Sequence, residues 1–555
     1  MVFAKITIVF QAIAPLRRSR SSFVILIQKI KSQAISLFIG VSAVFWATTS
    51  AAAERVTFNL APLGEFQIKV ADLEAFATTG TITPELNYYL RRLEPQQLNR
   101  LSALLTTPLE LDPLAIAKFS NSQIGKIAIA NFAKGIRGNY SQNGFYALRS
   151  AIIAAAFDDS QLTFLNLLRH YPLKTVHLDL EVLAQYYRRA GVIARNREEI
   201  ERNWFPTLEN RQITPDEDSQ RHIERALGQY TWQVRTLSFQ NPNRRQAGLF
   251  DLYQPNIERP VPLIAISHGI ASNRQTFAYL AKHLASHGFA VAVIEHDAIA
   301  LNKFDRFLSG KAPFPNGDNL INNPLDVIAV LDRLELEPNI NVERVGVVGQ
   351  SFGGYTALAL SGGELIANKT AAECQADSYP NVLLNLSSLA KCTFNQLDRD
   401  RLQVRDDRIK AVMAINPMIG IFGKRGMNSV ATPTMIVSGT HDLVMPSVNE
   451  QIRPFSWLDE DLAKYLVLIK PGTHFSFLQE GLGVLPIPDT NVGPRPIHAY
   501  PALKALSTAF FQLHLAQKSE YRADLDSDRV RQLGNDAFEL AIIRAIAESQ
   551  LEKFE

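Results

Sequence analysis

From Tyr230 onward the chain alternates short β-branched runs with segments of helical period, and that alternation admits few architectures. "YTWQVRTLSFQ" (230–240) and "AGLFDLY" (247–253) read as two strands joined by the turn-rich "NPNRRQ". Further strand-like runs follow at 261–267 (VPLIAIS), 289–295 (FAVAVIE), 344–349 (RVGVVG), 408–416 (RIKAVMAIN), 433–439 (PTMIVSG) and 465–470 (YLVLIK). Between them, "QTFAYLAKHLASH", "NPLDVIAVLDRLEL" and "GYTALALSG" place apolar residues three and four apart, as an amphipathic helix does. Strands that are apolar along their whole length and separated by helices predict an α/β fold, a mostly parallel sheet covered by helices on both faces.

At 555 residues and 46% hydrophobic composition the chain is expected to hold more than one core. Residues 54–195 read as a mainly helical domain, with Pro84, Pro95 and Pro113 placed where proline is tolerated in a first turn. The charged, proline-containing span 196–222 has the composition of a connector; the catalytic α/β domain is expected over 223–520, and 521–555 reads as one amphipathic C-terminal helix. The net charge of +3 forms no arginine-rich or aromatic-basic stripe, so no nucleic-acid partner is expected.

Residues 1–53 differ in character. Lys5, Arg17, Arg18, Arg20, Lys29 and Lys31 precede an apolar run from Ala34 to Ala47, and Ala51-Ala52-Ala53 offers an A-x-A-like cleavage site. The segment reads as a signal peptide, or as a signal anchor if retained, and places the protein on the exported side, periplasmic or extracellular, with membrane-surface association if it stays attached. In that compartment Cys374 and Cys392 either form a disulfide or remain free thiols. The pattern specifies no oligomeric state.

The chemistry centres on "VGVVGQSFGGY" (345–355). Gly349-Gln350-Ser351-Phe352-Gly353 fits G-x-S-x-G between a predicted strand and a predicted helix, which is the setting of a nucleophile on a sharp turn; the plain alternative is a glycine-rich loop leaving a buried strand. A serine hydroxyl needs a histidine to take its proton and a carboxylate to orient that histidine. In the chain order nucleophile, acid, base, Asp442 follows the run ending at 439, and His474 follows the run ending at 470. His498 is a reserve base, and His514 falls inside a helical pattern. Taken singly, Asp442 reads as a turn aspartate and His474 as a packed loop histidine; taken in order past separate strand ends they read as a triad with Ser351. The oxyanion donors expected from this arrangement are the backbone N–H groups of Phe352 and of Ile270 in "SHGI", with the His268 side chain shaping the loop. No histidine has companions at metal-ligand spacing, so neither metal nor cofactor is expected.

"SHGIASNRQTFAYLAKHLASHGFAVAVIEH" (267–296), "GQSFGGY", "SGTHD" and "GTHFSF" together resemble the platelet-activating-factor acetylhydrolase group of α/β-hydrolases and the dienelactone-hydrolase-like enzymes, over roughly residues 230–520. "VADLEAFATTGTITPELNYYL" resembles the accessory domain fused to such hydrolases in an exported cyanobacterial-type family of undefined substrate. The resemblance implies an α/β-hydrolase fold and puts the family's nucleophile, acid and base at Ser351, Asp442 and His474 and its oxyanion donors at Ile270 and Phe352. It also implies a small-molecule or lipid ester substrate with a short or modified acyl group. The span 362–407 is longer than a minimal crossover and is expected to form a lid or pocket wall. "SFGGY" also resembles prolyl-oligopeptidase-type serine peptidases, although no bladed repeat precedes it. A peptidase, an acyltransferase and a catalytically silent binding protein are the alternatives to an esterase.

Overall fold

The computed structural model of the protein describes residues 52–554, apart from 61, 110–112, 122, 139–142, 159–160, 206–224, 309–310, 313–316, 368–399 and 480–492. The N-terminal leader, most of the connector and both cysteines lie outside the described residues. The chain divides into two compact units, one from the described parts of Met1–Glu110 and Phe132–Arg188, the other from those of Leu111–Asn131 and Arg189–Glu555.

The first unit is mainly helical but also carries a small sheet that the helical reading of 54–195 did not include. Strands β1 (Arg55–Leu60) and β2 (Gly64–Lys69) form a hairpin, and β3 (Ile136–Arg137) and β4 (Thr175–Leu178) complete the order β2-β1-β4-β3. The hairpin follows from the two-residue period of "RVTFNL", which turns Val56 and Phe58 inward; Phe58 pairs with Phe66 across the turn. Helices Pro84–Leu90 and Pro95–Thr106 start on prolines, the first with Thr83 accepting from Leu86 N–H and the second with a Glu94/Gln97 capping box.

In the second unit β5 (Trp232–Phe239), β6 (Gly248–Pro255), β7 (Val261–Ser267), β8 (Ala290–Ile294), β9 (Ile340–Gln350), β12 (Ile409–Ile415), β13 (Thr434–Gly439), β14 (Lys464–Lys470) and β15 (Glu539–Ile543) form one sheet in the order β15-β14-β13-β12-β9-β7-β8-β6-β5. The six strands from β8 to β14 run parallel; β5, β6 and β15 are antiparallel to their neighbours. Alternate residues face opposite cores: Leu263 and Ala265 pack into one cluster and Ile264 and Ile266 into the other, which is why these strands read as unbroken apolar runs. β10 (Glu364–Ile366) and β11 (Arg401–Gln403) form a separate two-stranded ribbon in the span expected to wall the pocket.

Two boundaries differ from expectation. Helix Leu180–Trp204 runs into the span read as connector, because "REEIERNW" keeps the helical period. The segment 521–555 is not one helix. Gly534-Asn535 ends helix Ser527–Gln532 and its following turn, with Asn535 Oδ1 accepting from Ala537 and Phe538 N–H, and Glu539–Ile543 then pairs antiparallel with β14. Ile542 and Ile543 are β-branched, and pairing with β14 buries both.

Strand β7 has β8 on one side and β9 on the other, so the chain reverses its direction of winding there. In parallel sheets the crevice outside the carboxyl ends at such a switch point is where ligands bind. Ser267 ends β7 and Gln350 ends β9 on this edge.

Candidate active site

Ser351 joins β9 to helix Phe352–Leu360 with φ 56° and ψ −117°, a conformation that costs energy in any residue with a side chain. The surroundings hold it there: Ser351 N–H donates to Ile415 O at 2.9 Å, and Ser351 O accepts from Gly354 and Tyr355 N–H. The motif glycines leave no room for substitution, since a Cβ on Gly349 would lie 2.0 Å from Gly353 O and one on Gly353 would lie 2.0 Å from Ser267 O. The strained turn projects the hydroxyl over the end of the sheet, at the positive end of the helix that follows.

Asp442 follows β13 and His474 follows β14. His474 Nδ1 lies 2.7 Å from Asp442 Oδ2, and Asp442 Oδ1 accepts from Val444 and Met445 N–H at 2.8 and 2.7 Å. The carboxylate only accepts, so the ring proton sits on Nδ1 and leaves Nε2 as the basic atom. Both side chains are buried.

Two residues that sequence reasoning did not assign hold this pair. Asn416, with φ 41° at the end of β12, donates from Nδ2 to Thr473 O at 2.9 Å and accepts from Gly439 N–H at 2.8 Å, tying the base loop to the end of β13. The end of β12 thus supplies a clamp. Gln350, the variable residue of the motif, has its Nε2 3.4 Å from both Nε2 and O of His474. Nothing in the motif pattern signals either contact.

Ser267-His268-Gly269-Ile270 lies against the turn: a Cβ on Gly269 would come within 3.0 Å of Ser351 Cβ. Among the described residues none accepts a backbone hydrogen bond from Ile270 or Phe352 N–H. Of the other residues singled out, His498 is exposed, with its N–H donating to Arg495 O and its carbonyl accepting from Asn535 Nδ2. His514 sits on helix Tyr500–His514 as expected, and its Nε2 shares a hydrogen bond of 2.8 Å with the Tyr465 hydroxyl. Tyr355, which kept the peptidase resemblance open, is wholly buried, stacks on Phe422 and donates to Leu320 O, so it serves the core rather than a substrate. Among the described residues no three metal-binding side chains converge.

Family models match the chain in two places: residues 52–179 match a family described as "Alpha/beta hydrolase of unknown function (DUF1400)", and residues 202–305 match "Platelet-activating factor acetylhydrolase, isoform II". The chain is an α/β-hydrolase resembling platelet-activating factor acetylhydrolase. A search of curated proteins returns no match. The first match falls mostly on the N-terminal unit of this α/β-hydrolase, and the second takes in β5 to β8 and the Ser267–Ile270 loop. Ser351, Asp442 and His474 lie beyond both matches.

Proposed function

We propose that this hydrolase is an exported serine esterase that cleaves a carboxylic ester through an acyl-enzyme on Ser351. The observation that carries the reading is the Asp442–His474 hydrogen bond, at 2.7 Å, on the same sheet edge as a serine held at positive φ. Ser351 Oγ attacks the ester carbonyl while His474 Nε2 takes its proton, and the carbonyl oxygen becomes an oxyanion facing Ile270 and Phe352 N–H. Collapse breaks the C–O bond, and His474 returns the proton to the departing alcohol. Water then attacks the acyl-enzyme with His474 again as base, releasing the carboxylic acid and restoring the serine. Asp442 accepts from Nδ1–H throughout, which keeps the proton there and stabilises the imidazolium.

The match to a family named for an acetylhydrolase supports a lipid ester with a short or modified acyl group as substrate. The basic and apolar composition of residues 1–53 supports export and, if the segment is retained, attachment to a membrane surface. The test is a fluorophosphonate probe followed by p-nitrophenyl esters of increasing acyl length and a peptide series. Labelling of the wild type, none of Ser351→Ala, and turnover that falls with chain length are expected. A folded wild type that is never labelled would sink the proposal, and faster cleavage of peptides would move the reading to a peptidase.

A further inference from the structure

Behind the site lies a second hydrogen-bonded series of serine, histidine and aspartate. Ser267 Oγ is 2.8 Å from His296 Nε2, and His296 Nδ1 is 2.9 Å from Asp326 Oδ2. Asp326 is gripped by Arg244, Nε to Oδ1 at 2.7 Å and Nη2 to Oδ2 at 2.6 Å, and by Asn241 Nδ2 at 2.8 Å. It resembles a catalytic triad in connectivity, but Ser267, His296 and Asp326 are all 0% exposed, so no substrate reaches the hydroxyl. Ser267 is also the last residue of β7, without the strained turn that holds Ser351. A buried ionic network of this size is costly unless every member is satisfied, and here the charges of Arg244 and Asp326 cancel.

The series ends on the oxyanion loop. His296 N–H donates to His268 Nε2 at 3.1 Å, which fixes that nitrogen as an acceptor and puts the His268 proton on Nδ1. Nδ1–H in turn donates to Gly269 O at 2.8 Å. Gly269 O and Ile270 N–H belong to one planar trans peptide, whose carbonyl and N–H point in opposite directions. Holding the oxygen toward His268 therefore turns the Ile270 N–H away from the buried side. Burial and the neighbouring His296 push His268 down to about 3, so its ring stays neutral and keeps this donor–acceptor arrangement across the working pH range.

We propose that Arg244, Asp326, His296, Ser267 and His268 form a positioning relay that fixes the Gly269–Ile270 peptide plane, and with it the oxyanion hole, rather than a second nucleophilic centre. This rests on the esterase reading of Ser351. Each link has a separate task. Arg244 and Asp326 orient the His296 ring, His296 holds Ser267 through its ring and His268 through its backbone, and His268 holds Gly269 O. The oxyanion exists only after attack, so an N–H aimed wrongly weakens the transition state and leaves substrate binding alone.

The decisive comparison is His268→Asn with His268→Gln, read by kcat and KM on a p-nitrophenyl ester and by thermal melting. The Asn amide nitrogen occupies the place of Nδ1 and can still donate to Gly269 O, whereas Gln is nearer to histidine in size but carries its amide one bond further out. A relay predicts that Gln loses roughly 10–100-fold in kcat with KM changed less than about 3-fold, and that Asn recovers a substantial part of that loss. Ser267→Ala, a smaller change that leaves a folded core, is expected to lower kcat several-fold in the same KM-neutral way. Equal kcat for folded Asn and Gln variants, together with an unaffected Ser267→Ala, overturns the relay. If either His268 variant fails to fold, Ser267→Ala alone decides. The fluorophosphonate experiment separates this from the parent reading: an unlabelled wild type defeats the esterase, whereas a wild type labelled at Ser351 with unimpaired relay variants defeats only the relay. Label found on Ser267 in Ser351→Ala would also overturn it.

Discussion

A Cβ placed on Gly353 would sit 2.0 Å from the carbonyl oxygen of Ser267, so the helix after Ser351 and the strand before the Ser267–Ile270 loop touch backbone to backbone. The contact sets the spacing between Ser351 and the loop that carries Ile270. Glycine at this position is therefore a packing requirement as much as a turn requirement.

Gly353→Ala is expected to destabilise the protein by about 1–3 kcal/mol, as overpacking of a tight core does, and to lower kcat by a larger proportion than stability alone explains. Separating helix from loop displaces Ser351 and the oxyanion donors together. Chemical denaturation and steady-state kinetics on the same preparation check it; a variant that melts normally and turns over normally would refute the close contact.

Asp442→Asn keeps the shape of the acid but allows an amide to donate toward His474 Nδ1, which favours the wrong tautomer. A fall in kcat of about 10³- to 10⁴-fold with little change in KM is expected, the magnitude known for this substitution in serine peptidases with the same constellation. Because Asp442 Oδ1 also accepts from Val444 and Met445 N–H, a modest loss of stability accompanies it. A kcat within tenfold of wild type would show that Asp442 is not the orienting acid.

Gln350 Nε2 lies 3.4 Å from His474 Nε2, so a charge introduced there acts directly on the base. In Gln350→Glu an ionised carboxylate favours the imidazolium. The base then needs a higher pH to become neutral, and the acid limb of the kcat/KM profile is expected to move up by about one unit or more. A pH–rate profile measures this; an acid limb that stays put or moves down would mean that the residue at 350 does not face the ring.

The sheet was legible in the sequence because its central strands are buried on both faces and so read as apolar runs, with helical periods between them. The sharp turn at Ser351 was legible for a related reason: Gly349 and Gly353 flank Ser351 at the spacing that close backbone contact demands. What escaped the reading depends on contacts between residues far apart in the chain. Asn416 and Thr473 meet only because β12 and β14 flank β13, and His296 reaches Asp326 only because the β8 end lies beside helix Asn319–Leu334. The helical reading of the last 35 residues failed because "FELAII" fits both periods, and the exposed edge of β14 decided for a strand.

Three histidines are held neutral by burial, and they set how the fold responds to acid. His514 is pushed down to about 4 by burial and by Arg522 and Arg544; His441 likewise to about 4 by burial, Arg197 and Lys470; and His268 to about 3. In the unfolded chain each would titrate near 6.5. Between about pH 6.5 and 4 the unfolded state therefore binds protons that the folded state refuses, so stability is complete above pH 6.5 and declines as the pH falls through that window. Urea midpoints measured at pH 7.5, 5.5 and 4.5 are expected to fall in that order. His514→Gln keeps a hydrogen-bonding partner for the Tyr465 hydroxyl without a titrating ring, so its midpoint is expected to fall less steeply than that of the wild type. A variant that loses stability with the same slope would show that His514 takes up its proton in the folded protein as readily as in the unfolded one.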